Sequence, residues 1–304
     1  MVKEAEHMTA GVLRRSNRIR VSASRKVFLV VNTVLLLLLC AAMLYPVIFV
    51  TAASFSEETA ILKGEVSVFP VRAHIKAYEK VFHYPLLWRS YGNTLLYTGL
   101  GTLINLVLTV CGAWALSQKK MVGRRFLTLL CTFTMFFNGG MIPTFLVIKE
   151  LKLLNTIWAI LLPGAVSTYN MILMRTFFLA IPQSLVEAAE LDGCNDFGVL
   201  FRVVLPLSLA SLMTIGMFYA VAHWNSYFSA VLYLSKPELY PLQIILRQVV
   251  LMNEIVENAS STENVMAEGI KYATIVVAML PMLCVYPFVQ RYFVKGVMIG
   301  SVKE

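Results

Sequence analysis

Between Val27 and Ala53 the chain carries no charged residue and is almost wholly apolar. Crossing the hydrocarbon core of a bilayer takes about 20 residues of helix. A cleavable signal core is only about 7–15 residues long, so this run reads as a membrane-spanning helix and not as a leader. The rest of the sequence agrees. Of 304 residues, 58% are hydrophobic and 14% charged, against about half apolar and a quarter charged in soluble domains. A chain of this length and composition is a polytopic, all-α membrane protein, with several spans packed in one bundle.

Read in order, residues 1–26 form a basic tail bearing Arg14, Arg15, Arg18, Arg20, Arg25 and Lys26. Beside a membrane span, such a tail sets topology and touches anionic lipid; no nucleic-acid partner is expected. The first span covers 27–53. A polar outer loop follows at 54–92, with Pro70 and Pro85 as breakers. The second span is 93–117, and the basic loop QKKMVGRR occupies 118–125. The third span, 126–148, is interrupted by Asn138, Gly139, Gly140 and Pro143. After a short turn at 149–155, the fourth span, 156–180, contains Pro163 and Gly164. A polar loop takes 181–206, and the fifth span runs over 207–234. The outer segment 235–271 includes PLQIILRQVVLM, which is too short and too polar to cross and suits an interfacial or partner-facing helix. The sixth span is 272–289, and 290–304 is a tail. Six spans place both termini in the cytoplasm. In that arrangement sixteen of the 26 Lys and Arg face inward, as the positive-inside rule requires.

All 17 Asp and Glu fall outside these spans. An ion-coupled carrier needs a titratable group near the bilayer midplane, and an intramembrane enzyme needs an acid, a metal or a nucleophile–base pair. Neither is present, so a secondary carrier is the disfavoured alternative and no catalytic residue is assigned. The five cysteines show no paired spacing and read as small buried hydrophobes, with no disulfide framework and no metal site. His223, the one histidine inside a span, reads as a structural residue bonded to a neighbouring helix. A chain without its own source of energy must borrow it at a surface. The loop 181–206 is the candidate surface, since Glu187, Glu190, Asp192 and Asp196 lie within ten residues of one another. Its spacing predicts two short helices. Ser184 and Glu187 make a capping box that starts the first at Leu185, and Gly193 stops it. Asp196 caps the second, Phe197 to Val204, ahead of Pro206. On spacing alone, an ordinary amphipathic linker would look the same.

The order Glu187-Ala188-Ala189, three residues, Gly193, nine residues, Val203, one residue, Leu205-Pro206 resembles the signature loop of bacterial ABC-importer permeases. The stretch MIPTFLVIKELKLLNTIWAILLPGAVSTYNMILMRTFF and the tail QRYFVKGVMIGSVKE are similar to the maltose-type, carbohydrate-uptake branch, nearest to permeases of complex oligosaccharides such as pectin or alginate fragments. The resemblance implies a type I importer permease fold in the bacterial plasma membrane, working by alternating access. Glu187, Ala188, Ala189, Asp192, Gly193, Leu205 and Pro206 would then dock in a groove of an ABC ATPase dimer. That dimer, not this chain, would bind ATP and magnesium. Gly300, Ser301, Val302 and Lys303 would contact the ATPase from the tail; the final Glu304 departs from the family's usual ending. A second homologous permease, an extracytoplasmic sugar-binding protein and membrane lipids would complete the set of partners. A permease of the same type for a non-sugar solute is the other alternative. Tyr169, Asn170, Trp224, Asn225 and Tyr227 are the candidate sugar-cavity residues, being aromatic or neutral hydrogen-bonding groups near span breaks. The same tyrosines and tryptophan also suit interfacial anchoring.

Overall fold

A computed structural model of the chain describes residues 22–256, 269–287 and 290. Among the described residues there is helix and connecting loop, and no strand. In order the helices are α1 (Ala23–Phe55), α2 (Glu58–Leu62), α3 (Lys76–Phe82), α4 (Pro85–Ser117), α5 (Arg124–Phe136), α6 (Met141–Glu150), α7 (Trp158–Leu161), α8 (Thr168–Leu179) and α9 (Gln183–Leu191). They continue as α10 (Asp196–Leu207), α11 (Leu209–Trp224), α12 (Phe228–Tyr233), α13 (Leu242–Val256) and α14 (Gly269–Pro287). By length and composition, α1, α4 and α14 can each cross a bilayer unbroken. The pairs α5–α6, α8–α9 and α10–α11, bent by 111°, 75° and 84°, qualify as broken spans, which gives three to six crossings.

Residues 22–48, which carry most of α1, are exposed on every face, as befits a helix whose Leu and Val side chains suit hydrocarbon. The remaining helices form a bundle with α4 at its centre. One face of α4 is small or polar and buried: Ser90, Thr94, Tyr97, Gly101, Asn105 and Thr109, three or four residues apart. The opposite face, with Leu95, Leu96, Leu103, Val107 and Leu108, is exposed. This is soluble amphipathicity turned inside out. In lipid, apolar side chains gain nothing by leaving the surface, while small residues allow close helix contact and polar ones find partners inside. The same preference explains why Cys40, Cys111 and Cys284 are exposed and not buried as expected from their apolar surroundings.

The upper turns of α4 fasten the chain that leads into α13. Arg89 Nε and Asn93 Nδ2 donate to the Glu238 carbonyl at 3.1 and 2.8 Å, and Tyr97 Oη donates to the Leu239 carbonyl at 2.8 Å. The Leu242 N–H, at the start of α13, donates to Thr94 Oγ1 at 2.8 Å. Lower down, Gly101 lets α11 approach, since a β-carbon there would lie 2.5 Å from the His223 ring.

Several expected boundaries move. Pro85 does not interrupt a loop but occupies the first turn of α4, where its missing N–H costs nothing. The second long helix therefore begins eight residues earlier than 93. The stretch 126–148 does break, at 137–140, where Gly140 takes φ +87° and its N–H donates to Asn138 Oδ1. The stretch 156–180 is two helices, α7 and α8, separated around Pro163 and Gly164. The stretch 207–234 also divides, between Trp224 and Phe228. Outside the bundle proper, Arg72 bonds Glu57 at 2.8 Å and holds that carboxyl below the usual carboxylate range.

Because its β-carbon has nowhere to go, Gly101→Ala should lower the stability of the detergent-purified protein by about 1–3 kcal/mol through forced displacement of His223. Gly99→Ala, where nothing lies within 4 Å, should leave it unchanged or raise it by up to about 1 kcal/mol through helix propensity. Thermal melting of the two variants side by side checks the difference, and equal melting points would refute the close contact.

Candidate functional site

The acidic loop is an elbow made of α9 and α10. Helix α9 starts at Gln183, two residues before the expected position, with Pro182 at its N-cap and no side-chain cap bond. Proline fixes its own φ near the value the turn needs, and the Leu185 N–H donates to the Pro182 carbonyl, so the Ser184–Glu187 capping box is not used. Gly193 ends the helix at φ +84°. The Cys194 N–H donates to the Ala189 carbonyl and the Gly193 N–H to the Glu190 carbonyl, the paired bonds of a Schellman stop. The second cap is Asn195, not Asp196: Asn195 Oδ1 accepts from the Gly198 N–H at 2.8 Å, and Asp196 is the first helical residue. The bulky side chains from Leu200 to Val204 pass through a π-turn. Pro206 supplies no N–H to the ladder there, so the wider turn meets it without an orphaned bond.

The elbow has two sides. Ala189, Val199, Leu200 and Val204 are buried in one apolar core with Val110, Ala113 and Leu116 of α4, Met174 and Phe178 of α8, and Ile215 of α11. Glu187, Ala188, Asp192, Gly193 and Pro206 are exposed, and Leu205 is half-buried. Leu191 and Phe197 are 89% and 67% exposed, although they are large and apolar. Lys120, in the basic loop after α4, holds Glu190 at 3.1 Å. Arg175 Nε, on α8, donates to the Leu116 carbonyl at 2.9 Å, which satisfies one of the free carbonyls at the end of α4. A cleft of about 390 Å³ between these parts is lined by Trp114, Lys119, Gln183, Glu187 and Glu190, among others. The buried side of the elbow therefore packs directly against α4, α8 and α11.

Farther along the bundle lies a second cleft, of about 440 Å³, at the break between α7 and α8 and beside α11. Ser167, Asn170, Tyr219, His223, Ser226, Ser229 and Tyr233 give it a hydrogen-bonding lining, with Phe218 and Pro163 as apolar walls. Its frame is a polar network. Asn105 Nδ2 donates to the Gly164 and Ala165 carbonyls, so its Oδ1 is left as the acceptor facing His223 Nε2 at 2.7 Å. It follows that His223 carries a proton on Nε2. The Tyr219 oxygen accepts from the Ser167 N–H at 3.1 Å and shares a hydrogen bond with Thr109 at 2.7 Å. Ser167 Oγ in turn accepts from the Asn170 N–H at the start of α8. Among the described residues, no Asp, Glu, Lys or Arg belongs to the buried set.

Of the five cavity residues expected from sequence, only Asn170 lines this cleft. Tyr169 is exposed. Trp224 is buried in a separate cluster with α3, α13 and α14, its ring edge on Tyr91 at 6.0 Å. Asn225 bonds the Val221 carbonyl of its own helix, and Tyr227 lines a different groove. Sequence reasoning passed over Asn105, Thr109, Tyr219 and Ser226. The available signal was a polar residue in an otherwise apolar helix at one-turn spacing from another. Gly300, Ser301, Val302 and Lys303 lie outside the described residues. An apolar groove of about 430 Å³ runs between α4, α11 and α14, but it offers few groups that could hold a polar solute.

A helical bundle with a polar, uncharged cleft and a surface elbow packed into its core has the build of a membrane transport subunit. The chain belongs to the family described as binding-protein-dependent transport system inner membrane component, whose model matches residues 86–299. It is 41% identical to the polygalacturonan/rhamnogalacturonan transport system permease protein YtcP of Bacillus subtilis, over 88% of this chain and 95% of that one. It is also 41% identical to protein LplC of the same organism, over 91% of this chain and 95% of the relative. Its fold matches a crystal structure of a bacterial ABC transporter involved in the import of the acidic polysaccharide alginate, with TM-score 0.82 and 38% identity, covering 90% of this chain and 99% of that one. The family expected from the 187–206 motif is the family found. The protein is a multi-pass ABC-importer permease of the bacterial plasma membrane.

Tyr219→Phe keeps the ring but leaves the Thr109 hydroxyl and the Ser167 N–H without a shared partner. We expect a loss of about 1–3 kcal/mol in stability, read by denaturation in detergent; an unchanged midpoint would mean that water replaces the phenol without cost.

Proposed function

We propose that this chain is one of two permease subunits of an ATP-driven importer of oligosaccharides, in particular acidic ones derived from polysaccharides such as pectin or alginate. The observation that carries the coupling is the two-sided elbow: Ala189, Val199, Leu200 and Val204 are anchored in the core, while Glu187, Ala188, Asp192 and Gly193 face out. The substrate class rests on the two relatives whose names specify acidic polysaccharides.

In this reading the chain has six spans, namely α1, α4, α5 with α6, α7 with α8, α11 with α12, and α14, with both termini in the cytoplasm. The elbow and the 118–125 loop lie on the inner face, and residues 54–84 and 235–268 on the outer face. ATP and magnesium bind in a separate ATPase dimer. Its groove receives the exposed side of the elbow, with the apolar Leu191 and Phe197 as contacts and Glu187 paired to a basic residue. Closure of the ATPases carries α4, α8 and α11 with the elbow and rocks the bundle against a second, homologous permease in alternating access. Only a difference in affinity between two packings shifts such an equilibrium, and a few kcal/mol suffices. An extracytoplasmic binding protein delivers the sugar, lipid surrounds α1, and Gly300 to Lys303 reach toward the ATPase. The cleft beside α11 is the path through this subunit. Ser, Asn, Tyr and His side chains there meet sugar hydroxyls, and the absence of buried charge among the described residues lets a solute leave as readily as it enters. Such a lining is ill suited to ion-coupled transport, which needs a titratable group.

Glu187→Lys in the assembled importer should abolish coupling: ATP hydrolysis no longer drives uptake, while insertion and assembly with the second permease are kept. Uptake of labelled oligogalacturonides into proteoliposomes, measured beside ATP hydrolysis, checks it. Undiminished ATP-dependent uptake would remove Glu187 from the coupling.

A further inference from the structure

One cation on the outer side of the bundle is held in a way that the permease reading does not use. Arg247 lies on α13, and its guanidinium carbon sits 4.7 Å from the centre of the Tyr227 ring. Together with Tyr240 and Gln248 it lines a groove of about 200 Å³, closed on its apolar side by Leu234 and Leu251. Arg247 is exposed, and among the described residues no carboxylate lies within ion-pairing distance of it.

The position is fixed from both sides. Helix α11 has 16 residues from the elbow end to Trp224, or about 24 Å at 1.5 Å per residue. That brings Tyr227 close to the far boundary of a hydrocarbon core about 30 Å thick. The start of α13 is tied to α4 through Thr94, Asn93, Arg89 and Tyr97, so Arg247 is presented from an anchored helix. Ser226, which lines the polar cleft, and Tyr227, which lines this groove, are consecutive residues at the same helix break.

The chemistry follows from the arginine. A ring beneath a guanidinium orients it and favours its charge. The planar fork of N–H donors keeps its edges available for a two-point bond to a carboxylate. Neighbouring tyrosines offer flat apolar faces of the kind that stack on sugar rings, and the Gln248 amide can bond a hydroxyl. We propose that the Arg247–Tyr227 groove is a carboxylate-reading site that receives a uronate residue of the incoming oligosaccharide at the outer end of α11. The proposal rests on the acidic-oligosaccharide reading above and adds a residue that selects for acid over neutral sugar.

The test uses the complete importer with its binding protein in proteoliposomes, and two probes: tri-galacturonate and its carboxyl-reduced, neutral counterpart. Arg247→Gln should lower the ratio of acidic to neutral uptake about tenfold or more, as expected for loss of a charge-assisted pair. Arg247→Lys, which keeps the charge and loses the fork, should fall between. An unchanged ratio in Arg247→Gln, with wild-type importer carrying tri-galacturonate, overturns this proposal and leaves the acidic-oligosaccharide reading standing. Wild-type importer that carries only the neutral probe overturns both. A loss shared equally by the two probes, or weaker docking of the sugar-free binding protein, assigns Arg247 to packing or to the protein partner and likewise overturns it.

Discussion

Everything in this bundle depends on the buried polar face of α4. Hydrocarbon offers no partner to a hydroxyl, an amide or a free backbone group, so each must be answered inside the protein. Asn105 answers the carbonyls left by the break at Gly164 and Ala165, and Thr109 with Tyr219 answers the start of α8. Thr94 and Tyr97 do the same for the turn before α13. The helix breaks and α4 therefore require each other. Without the breaks, the polar face would have no function; without that face, the broken helices would expose backbone to lipid.

From this pillar the two working regions follow. The breaks open a cleft whose lining is polar because backbone and side chains there already turn inward. At the other end of the same helices, Val110, Ala113 and Leu116 of α4 pack against the elbow's Ala189, Val199, Leu200 and Val204. The elbow is thus an extension of the bundle core and not a tethered loop. Interiors packed at crystal-like density transmit displacement without yielding, which is the property that a coupling device in an ATP-driven importer needs.

How much of this the sequence discloses depends on the kind of signal. The elbow was legible because its anchors have local causes: a proline, a glycine at positive φ and a fixed spacing to Leu205-Pro206. Even so, its caps fall one or two residues from where Ser184 and Asp196 suggested. Pro182 starts the first helix two residues early through its fixed φ, and Asn195 Oδ1 takes the Gly198 N–H that Asp196 would have capped. Helices long and apolar enough to cross were legible from apolar length, and the breaks near Gly140 and Pro163 from their glycine and proline. The break at Asn225–Tyr227 carries neither residue and is signalled only by its neutral hydrogen-bonding groups. The cleft was mostly illegible. Trp224 and Asn170 look equally suitable in one dimension, yet one faces α13 and α14 and the other the α7–α8 break. Which face of an apolar helix turns inward is decided by its neighbours, and Asn105 gains meaning only once Gly164 and His223 stand opposite it.

The central claim is that the elbow and the bundle move as one body. Spin labels at Leu191, on the elbow, and Leu108, on the exposed face of α4, would measure it by pulsed electron resonance in the assembled importer, with and without ATP. The account predicts that the distance between these two labels stays constant to within about 2 Å, while the Leu191-to-ATPase-midline distance shifts with the nucleotide, as rigid, densely packed elements require. A Leu191–Leu108 distance that itself changes by several times that amount would show the elbow swinging on its own, and would contradict it.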